Sequence, residues 1–567
     1  MTPLSPEPLV FHRVVAVDTE DNGQGRVTLC AACWFDEVGR VESFVCRTSE
    51  EMVDWMESQP KSLFVAHNLE YDLVNLYRDR EWRGIRDLTY TARLIKARME
   101  ASESWFLDSY NFFPFSLKKM GEVVGLKKLE MDIESEEYVT RDAEILLRWF
   151  TDFQLRCHEK LGLNLTATIG GLAMKAWRTN FVSQEWLQFN DPIALDSYYG
   201  GRCEIFHKGF VSGPIRVVDV NSMYPYVMTR NFPDPATMRP SSWRLSEYGV
   251  GRFVVFVPED THVPVLPTRI EDRLHFPTGW VEGCWTYHEV RRAVEKGARV
   301  AKETESWGTN VGCRPFEPFI RAYYKARLES ADEPEKVFWK LILNSSYGRL
   351  GQHNDRIEIT TQPMSRKQIA KEGAELIRKS GRFYVYRMPL LEPPETTNYI
   401  WAAYVTSYAR LHLEGLLQAV YDQGYTLCYC DTDSVMYQGE TSATLDMDQK
   451  RLGALKEEVF DSGEFLISKG YVLREGKNVK IACKGVNLPR QLDKALHGTD
   501  ENPQWAFLYG GAATVTKPVR LRQSLVTGEL ANKWVEHTKM NRAVYERRTG
   551  EGVTSPVHLE IKRKEKV

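Results

Sequence analysis

The chain has 567 residues, which is too long for one hydrophobic core, and at roughly 150 residues per domain it predicts three or four domains. Its net charge of −3 excludes a globally basic protein, so any nucleic-acid site is expected to be a local basic groove. Ten cysteines without the spacing of a disulfide framework indicate a reducing compartment. We find no basic leader and no apolar run near 20 residues, and therefore expect a cytoplasmic protein without a membrane span.

Acidic residues follow the first two predicted strands. The apolar run of residues 14–17 is typical of a buried strand, and it leads into Asp18 and Glu20, which are separated by one position. A second predicted strand, residues 63–66, precedes Asp72 at the start of a helical pattern. Carboxylates delivered by separate strands in this way are typical of metal sites.

A third acidic segment completes this set. Asp142 lies four residues after Tyr138, so both occupy one face of a predicted helix. Four carboxylates are enough to hold two cations about 3.5–4 Å apart, the arrangement that hydrolyses phosphodiesters. The ordered patterns DTE, NxxYD and YxxxD resemble the three motifs of DEDDy-type 3′–5′ exonuclease domains, which have a ribonuclease-H-like fold. The resemblance implies that the four acids are metal ligands and that Tyr138 orients the attacking water.

An aromatic run followed by lysines, residues 112–120, lies between the second and third motifs. Aromatic rings stack on unpaired bases and lysines contact phosphates, although a core segment before a solvated helix has the same composition. The resemblance favours single-stranded DNA and also implies a lysine that steadies the scissile phosphate. The matching residues are Asn68, Tyr71, Ser116, Leu117 and, for the lysine, Lys128 or its neighbour Lys127.

A pair of glycines precedes the next predicted strand. Gly200 and Gly201 allow close backbone approach, and Tyr198 beside them is able to contact a sugar–phosphate chain, although a plain turn explains the pattern equally well. Residues 215–218 then predict a strand that ends at Asp219. An acid again stands at a strand end.

Two further aspartates occupy a predicted β-hairpin turn. Asp431 and Asp433 lie between an apolar run and the strand-like residues 435–437, and alternation predicts that both point to one side of the backbone. Neighbouring carboxylates are unfavourable unless they are neutralised, so a divalent cation is the expected partner.

A lysine-bearing helix lies between these two acidic segments. At about 100° per residue, Lys336, Lys340, Asn344 and Tyr347 fall within an arc of about 80°. A solvated helix face has this composition too. The face nevertheless suits a nucleoside triphosphate, with Lys340 on the phosphates, Tyr347 against the base pair and Asn344 as a polar contact.

The patterns DxxSxYP, KxxxNSxYG and YxDTDS, in this order, resemble motifs A, B and C of family B DNA polymerases. The resemblance spans roughly residues 14–471 and implies that Asp219 and Asp433 bind the catalytic metals, with Asp431 assisting and the Val220 carbonyl as a further ligand. It implies two Mg²⁺ or Mn²⁺ ions in each active centre. It also makes Tyr224 the steric gate that excludes a 2′-hydroxyl.

Three short patterns, YxGG, TxxAR and KxY, match DNA-contacting motifs of the same family. The DNA contacts implied in this part of the chain are Tyr198, Gly200, Gly201, Thr406, Arg410, Lys469 and Tyr471. A helix and turns explain the latter two patterns as well. The resemblance therefore carries their assignment to DNA.

Two long segments interrupt the polymerase motifs, and their positions resemble the terminal-protein regions of the protein-primed, bacteriophage-type branch of family B. The first, residues 226–325, is implied to contact a priming protein. The second, residues 352–396, is implied to help encircle DNA and to support processivity and strand displacement.

The predicted fold is α/β and multidomain: a ribonuclease-H-like exonuclease domain followed by a right-hand polymerase with two insertions. The predicted domains are the exonuclease (1–165), a linker with the start of the palm (166–225), the first insertion (226–325), the fingers (326–351), the second insertion (352–396), the palm (397–484), and the thumb with a C-terminal tail (485–567).

The resemblance implies a monomeric DNA-directed DNA polymerase with a proofreading exonuclease. It would bind template, primer, a single-stranded 3′ end, dNTPs and a terminal protein, and would replicate a linear viral or plasmid genome by protein priming and strand displacement. A DNA-primed family B polymerase, a primer-independent relative and a catalytically inactive nucleic-acid-binding relative are the alternatives.

Overall fold

The computed structural model of the chain describes residues 13–22, 26–78, 80, 82–90, 93–182, 186–352, 356–380, 383–389, 393–483, 512–518, 534–540 and 547–560. Most of the predicted thumb and tail lies outside the described residues. The chain divides into two compact units, which confirms the α/β multidomain class. Unit 1 takes its residues from Met1–Phe181, Tyr323–Pro394 and Thr516–Glu536, and unit 2 from Val182–Ala322, Glu395–Val515 and His537–Val567.

Unit 1 is built around a ten-stranded mixed sheet. Three neighbouring strands run parallel, because Leu63–Ala66 pairs in this way with both Val14–Asp21 and Trp105–Asp108. Their almost continuous apolar sequences fit strands buried on both faces. Across the sheet the order is Glu375–Ser380, Phe383–Met388, Arg356–Thr360, Ile85–Tyr90, Leu94–Met99, Trp105–Asp108, Leu63–Ala66, Val14–Asp21, Val27–Phe35 and Val41–Cys46.

The helix Glu136–Leu161 packs on this sheet. It begins after Ser135, whose hydroxyl accepts a hydrogen bond from the backbone N–H of Tyr138, and it ends at Gly162 in the left-handed conformation. The other described helices of unit 1 are Ser49–Ser58, Leu69–Tyr77, Leu117–Val124, Ile169–Phe181, Glu333–Ser345, Arg366–Glu372 and the short 3₁₀ helix Ser109–Asn111, while Glu317–Leu328 contributes residues to both units.

The predicted second insertion, residues 352–396, contributes three strands to the sheet of unit 1. Arg356–Thr360 pairs antiparallel with Ile85–Tyr90 and with Phe383–Met388. Glu375–Ser380 then forms the edge. Residues that are more than 250 positions apart thus share one sheet and one hydrophobic core.

Unit 2 contains an eight-stranded sheet around the long strand His207–Val220. That strand pairs antiparallel with Ser434–Gln438 and with Leu455–Ile467, and Gly552–Val553 pairs with its beginning. The other strands follow on either side. In order they are Asn478–Cys483, Gly470–Glu475, Leu455–Ile467, His207–Val220, Ser434–Gln438, Thr426–Asp431 and Cys203–Ile205.

Unit 2 also contains a five-stranded sheet. Its order is Arg239–Pro240, Arg299–Thr309, Tyr248–Val257, Thr278–Thr286 and His558–Leu559. Small two-stranded sheets pair Phe232–Pro233 with Gly312–Cys313, Thr268–Ile270 with Arg273–His275, and Arg548–Thr549 with Ser555–Pro556. The strands Ala512–Pro518 and Trp534–Met540, whose residues are divided between the two units, form a further two-stranded sheet.

The longest helix of unit 2, Tyr399–Asp422, is buried along most of its length. The other helices in the described part of this unit are Pro192–Asp196, Met223–Val227, Tyr287–Glu295 and the 3₁₀ helix Pro235–Thr237. Within the part of the chain that the structure describes, no helix combines the length and apolarity that a membrane crossing needs.

Candidate functional site

Unit 1 brings three of its predicted acids together. Asp18 and Glu20 lie two residues apart on the strand Val14–Asp21, so they share one of its faces. Asp142 comes from the helix Glu136–Leu161, and ligand atoms of these three side chains all lie within 4.8 Å of one another. We call this group, with the neighbouring Asp72, the first acidic centre.

Asp72 is positioned beside these acids by a different helix. It lies in the first turn of the helix Leu69–Tyr77 and is buried. Its Oδ1 accepts hydrogen bonds from Thr19 N–H at 3.0 Å and from the Thr19 hydroxyl at 2.9 Å, and Asn75 donates to that hydroxyl at 3.1 Å. Thr19, which sequence reasoning passed over between two acids, therefore fixes Asp72.

The electrostatics of the first acidic centre fit a bound cation. Burial raises the pKa of Asp18 well above its ordinary value, and the charges of Asp72 and Glu20 raise it further. Burial also raises the pKa of Asp72. Among the described residues, Asp18 Oδ2 and Asp142 Oδ1 are buried oxygens that accept no hydrogen bond. A divalent cation binds where several carboxylate oxygens without hydrogen-bond partners lie close together, because it neutralises their repulsion.

A lysine supplies positive charge at this centre. The Lys128 ammonium group pairs with the Asp142 carboxylate, and it donates to the Tyr138 hydroxyl at 2.9 Å. Lys127 is exposed, and Lys128 is the one of the two predicted alternatives that lies beside the acids. Burial raises the pKa of Tyr138 to about 12, which keeps its hydroxyl protonated at neutral pH.

The predicted single-strand ligands occupy two segments of unit 1. Asn68 is exposed and has a left-handed backbone, while the Tyr71 hydroxyl donates to Asp21 at 2.5 Å. Ser116 is exposed, and its hydroxyl caps the helix that starts at Leu117. These residues remain candidates for DNA contact. Asp21 was missed, although its place directly after the DTE pattern was a signal.

Unit 2 brings Asp219 and Asp433 together. Thr426–Asp431 and Ser434–Gln438 form the predicted hairpin, and Ser434 pairs with Asp219 on the neighbouring strand. The backbone N–H of Val220 donates to the Asp433 carbonyl at 2.8 Å. This register joins acids more than 200 positions apart into the second acidic centre, which also includes Asp431.

Charge at the second acidic centre differs between its members. The pKa of Asp433 is raised to about 6, first by burial and then by the charges of Asp219 and Asp431. Lys456 pairs with Asp219 at 2.8 Å and Lys469 pairs with Asp431 at 2.7 Å. The two lysines leave Asp433 as the carboxylate whose charge is least compensated. Its raised pKa fits a cation ligand.

Lys456 was not predicted. It lies on Leu455–Ile467 directly opposite Asp219 in the pairing register, which no local pattern reveals. Lys469 was predicted to contact DNA, and in this structure its ammonium group donates to the carboxylate of the hairpin acid Asp431. Tyr471 of the same pattern packs against Tyr429, with ring centroids 5.2 Å apart.

The paired glycines pack against the turn of the hairpin. Thr432 has a positive φ of 59°, and its N–H donates to the Arg202 carbonyl at 2.7 Å. A Cβ on Gly201 would lie 2.7 Å from the Thr432 hydroxyl oxygen, whereas one on Gly200 would meet no atom within 4 Å. The close backbone approach predicted for this pair is therefore made by Gly201, to the turn. Tyr198 accepts a hydrogen bond at its carbonyl from Arg269 at 2.8 Å.

Burial contradicts the prediction that Thr406 and Arg410 contact DNA directly. Both are 2% exposed within the helix Tyr399–Asp422. The Thr406 hydroxyl donates to carbonyls of its own helix, and Arg410 pairs with the buried Glu289 at 2.7 Å. Arg410 also donates to the Gly200 carbonyl at 3.0 Å, so it supports the glycine pair from within the protein.

The lysine-bearing helix of unit 1 matches the predicted face only in part. Lys336, Lys340 and Asn344 are exposed at four-residue intervals along Glu333–Ser345. Tyr347 lies beyond the end of that helix, where its carbonyl accepts from the N–H of Leu350. The predicted helical position of Tyr347 was therefore wrong, because the helix stops before the NSxYG pattern is complete.

The tyrosine of the DxxSxYP pattern follows a turn that has a positive φ. Ser222 has a positive φ of 56°, and the short helix Met223–Val227 begins directly after it. Tyr224 is half-buried within this helix, five positions beyond Asp219. The strand end, the turn and the helix together fix where its ring lies.

The chain is similar to DNA polymerases over most of its length. A family model described as DNA polymerase type B, organellar and viral, matches residues 124–381. The DNA-directed DNA polymerase of Enterobacteria phage PRD1 is 28% identical over 467 residues, which cover 78% of this chain and 79% of that protein. A probable DNA polymerase of Ascobolus immersus is 24% identical over 365 residues, 60% of this chain and 29% of that protein.

The chain is also similar in fold to solved structures over nearly its whole length. Phi29 DNA polymerase complexed with primer-template DNA superposes with a TM-score of 0.72 at 17% identity, and the match covers 93% of this chain and 100% of that one. At this identity the likeness concerns the fold. The roles of individual residues rest on the two acidic centres described above.

Proposed function

We propose that the chain is a member of the type B DNA polymerases of the organellar and viral group, and that it is a DNA-directed DNA polymerase with a separate 3′–5′ exonuclease centre. The observation that carries this assignment is the register that sets Asp219 beside the hairpin turn of Asp433. Motif A and motif C acids from distant positions meet there, as polymerisation requires.

The second acidic centre is the proposed site of nucleotide addition. Mg²⁺ or Mn²⁺ ions bound by Asp219, Asp433 and the Val220 carbonyl would lower the pKa of the primer hydroxyl and neutralise charge on the triphosphate. Asp431 adds negative charge and is held by Lys469. We assign Asp431 an assisting role, with Asp219 and Asp433 as the direct ligands.

Nucleotide selection is assigned to two further groups of residues. The exposed face of Lys336, Lys340 and Asn344 offers two ammonium groups and an amide to a triphosphate. Tyr347, beyond the helix end, would pack against the base pair. Tyr224 would stack beneath the sugar and exclude a 2′-hydroxyl by its bulk.

The first acidic centre is the proposed exonuclease site. Two divalent cations held by Asp18, Glu20, Asp72 and Asp142 would activate a water and stabilise the leaving oxygen. Tyr138 is protonated and would orient the water by its hydroxyl. Lys128 would steady the scissile phosphate, while Asn68, Tyr71, Ser116 and Leu117 would hold the single-stranded 3′ end.

We further propose the domain layout that the sequence indicates: a ribonuclease-H-like exonuclease domain, then palm, fingers and thumb with two terminal-protein-region insertions. Thr406 and Arg410 act in it as internal supports of the glycine pair. The enzyme would act as a monomer in the host cytoplasm and replicate a linear genome by strand displacement.

Primer extension tests the polymerase assignment. The purified chain should extend a primed template with dNTPs and Mg²⁺, and a chelator should stop the reaction. Asp219→Asn should remove extension, because an amide cannot replace the anionic ligand. Extension that survives in this variant would contradict the second acidic centre.

Protein priming is tested by label transfer. With a template and a candidate terminal protein, a labelled nucleotide should become covalently attached to a Ser, Thr or Tyr hydroxyl of that protein. Absence of label together with efficient extension of an ordinary primer would favour the DNA-primed alternative. Synthesis on a template that lacks both kinds of primer would favour the primer-independent one.

A further inference from the structure

We propose that Glu204 and Arg548 are positioning residues for nucleotide addition, which they serve by fixing the strand and turn beside Asp431 and Asp433. The inference deepens the proposed polymerase function and rests on it. Neither residue belongs to a recognised motif, and Arg548 lies near the C-terminus. Their link to the turn passes through Arg202.

The proposal starts from three buried charged side chains, those of Arg202, Glu204 and Arg548, which we call the triad. Arg202 and Glu204 pair at 2.5 Å, and Arg548 lies 3.8 Å from the other carboxylate oxygen of Glu204. The Arg202 and Arg548 side chains are each 1% exposed and that of Glu204 is fully buried. Arg202 donates a hydrogen bond to Glu204 at 2.5 Å, whereas Arg548 interacts with Glu204 through charge alone. Because a buried charge is unstable without a partner of opposite sign, the three side chains constrain one another.

The triad connects directly to the catalytic hairpin. Glu204 lies on the edge strand Cys203–Ile205, where it stands opposite Cys430, and Cys203 stands opposite Asp431. Arg202 accepts the Thr432 N–H at its carbonyl. A positive φ is unfavourable for a β-branched residue such as Thr432, so this turn persists only because contacts outside it hold it.

The C-terminal segment braces the same edge strand. Arg548 donates to the Thr554 hydroxyl at 3.0 Å, and that hydroxyl donates in turn to the Ile205 carbonyl at 2.7 Å. Thr554 N–H donates to the Phe206 carbonyl at 2.9 Å. Gly552–Val553 adds backbone pairing to the sheet. Residues far from the acidic centre in sequence thus hold the strand on which its turn rests.

Loss of the triad should misplace the turn without removing any ligand. A displacement of about 1 Å from the reactive geometry lowers rates by roughly 10²-fold. The residues assigned to the incoming nucleotide, Tyr224 and Lys340 among them, do not belong to the triad. The rate of addition should therefore fall while nucleotide affinity is kept.

Glu204→Gln tests this, with Glu414→Gln as the matched control. Glu414 is also a buried carboxylate between two cations, Arg292 at 2.8 Å and Lys296 at 2.7 Å. For single-nucleotide addition, Glu204→Gln should lower kcat roughly 10²-fold and change the KM for dNTP less than about threefold. Degradation of single-stranded DNA by the same preparation should stay within about twofold, and Glu414→Gln should leave all three quantities near wild type. Equal losses in the two variants would overturn the inference.

Thr554 provides a second, milder test if Glu204→Gln does not fold. Thr554→Val removes the hydroxyl while keeping the shape, and Thr554→Ser restores the hydroxyl. The Val variant should lower kcat several-fold and accelerate hydrogen exchange in residues 426–438 relative to residues 470–483, and the Ser variant should reverse both effects. Unchanged exchange in the Val variant would overturn the inference. A wild-type protein that extends no primer would instead reject the proposed function, since exchange still reports on the brace.

Discussion

The two acidic centres solve the same electrostatic problem in different ways. In unit 1 the Asp142 side chain is 3% exposed and one lysine, Lys128, serves the group. In unit 2 the Asp219 side chain is 32% exposed, and Lys456 and Lys469 each pair with one aspartate. The carboxylates of the first acidic centre are buried and have little positive charge near them, so their ionised form depends strongly on bound cations. At the second acidic centre, solvent and two lysines already stabilise the negative charge.

The comparison also shows how one residue type serves two purposes. Lys128 contacts both an acid and the Tyr138 hydroxyl, so it links a proposed metal ligand to the residue that we propose orients the water. Lys456 pairs with Asp219, so its ammonium group competes with a cation for that carboxylate. We therefore expect the lysine of unit 1 to matter for chemistry and Lys456 to matter for cation affinity.

The strongest test of two separate centres removes a ligand from one of them. Asp433→Ala should lower nucleotide addition by at least about 10³-fold, because the carboxylate with the least compensated charge is lost. Exonuclease activity should stay within about twofold. Both rates are measured on the same primed template, and Asp260→Ala, which removes an exposed acid of the same unit, is the control. Loss of both activities together would contradict the separation.

The reciprocal change removes two ligands of the first centre. Asp18→Ala combined with Glu20→Ala should lower degradation of single-stranded DNA by about 10³-fold, since two of three clustered carboxylates disappear. Primer extension should continue at close to the wild-type rate. Degradation that persists in this double variant would refute the exonuclease assignment.

Substitution of two neighbouring lysines, Lys127 and Lys128, tests the role of positive charge at the first acidic centre. Lys128→Met should lower exonuclease activity roughly 10²-fold, because one charged donor at the reacting phosphate is lost. Lys127→Met, which changes an exposed side chain next to it, should have little effect. Equal effects of the two substitutions on the single-turnover rate would show that Lys128 acts only through overall charge.

The smallest expected effect concerns stability without metal. The pKa of Asp433 is about 6 in the folded chain and near 3.8 when unfolded, so ionisation destabilises the fold as pH rises through this interval. In a chelator, Asp433→Asn should therefore raise the free energy of unfolding by roughly 2 kcal/mol above pH 6, after allowance for solvent screening, and by almost nothing below pH 4.

Denaturant unfolding at several pH values measures this difference. Added Mg²⁺ should reduce or reverse the advantage of the Asn variant, because only the carboxylate gains from the cation. If the Asn variant is more stable by the same free energy at every pH, its stability comes from packing and not from loss of the Asp433 charge.

The sequence by itself placed the acids at strand ends and the pair Asp431 and Asp433 at a hairpin, because alternation, apolar runs and turns are local properties. It also predicted the exposed row of Lys336, Lys340 and Asn344 from helical periodicity. These features depend on residues a few positions apart. They could be predicted for that reason.

Tertiary structure alone decided the rest. The pairing register of the strands sets Lys456 opposite Asp219. Arg410, which was predicted to contact DNA, is buried and supports the interior of the protein. Tyr347 lies beyond the end of the helix and therefore does not share the face of the lysines. Tertiary structure also joined the strand Arg356–Thr360 to the sheet of the N-terminal acids. Each outcome depends on contacts between distant positions, whose pairing and burial are set by the packed fold and have no local pattern in the chain.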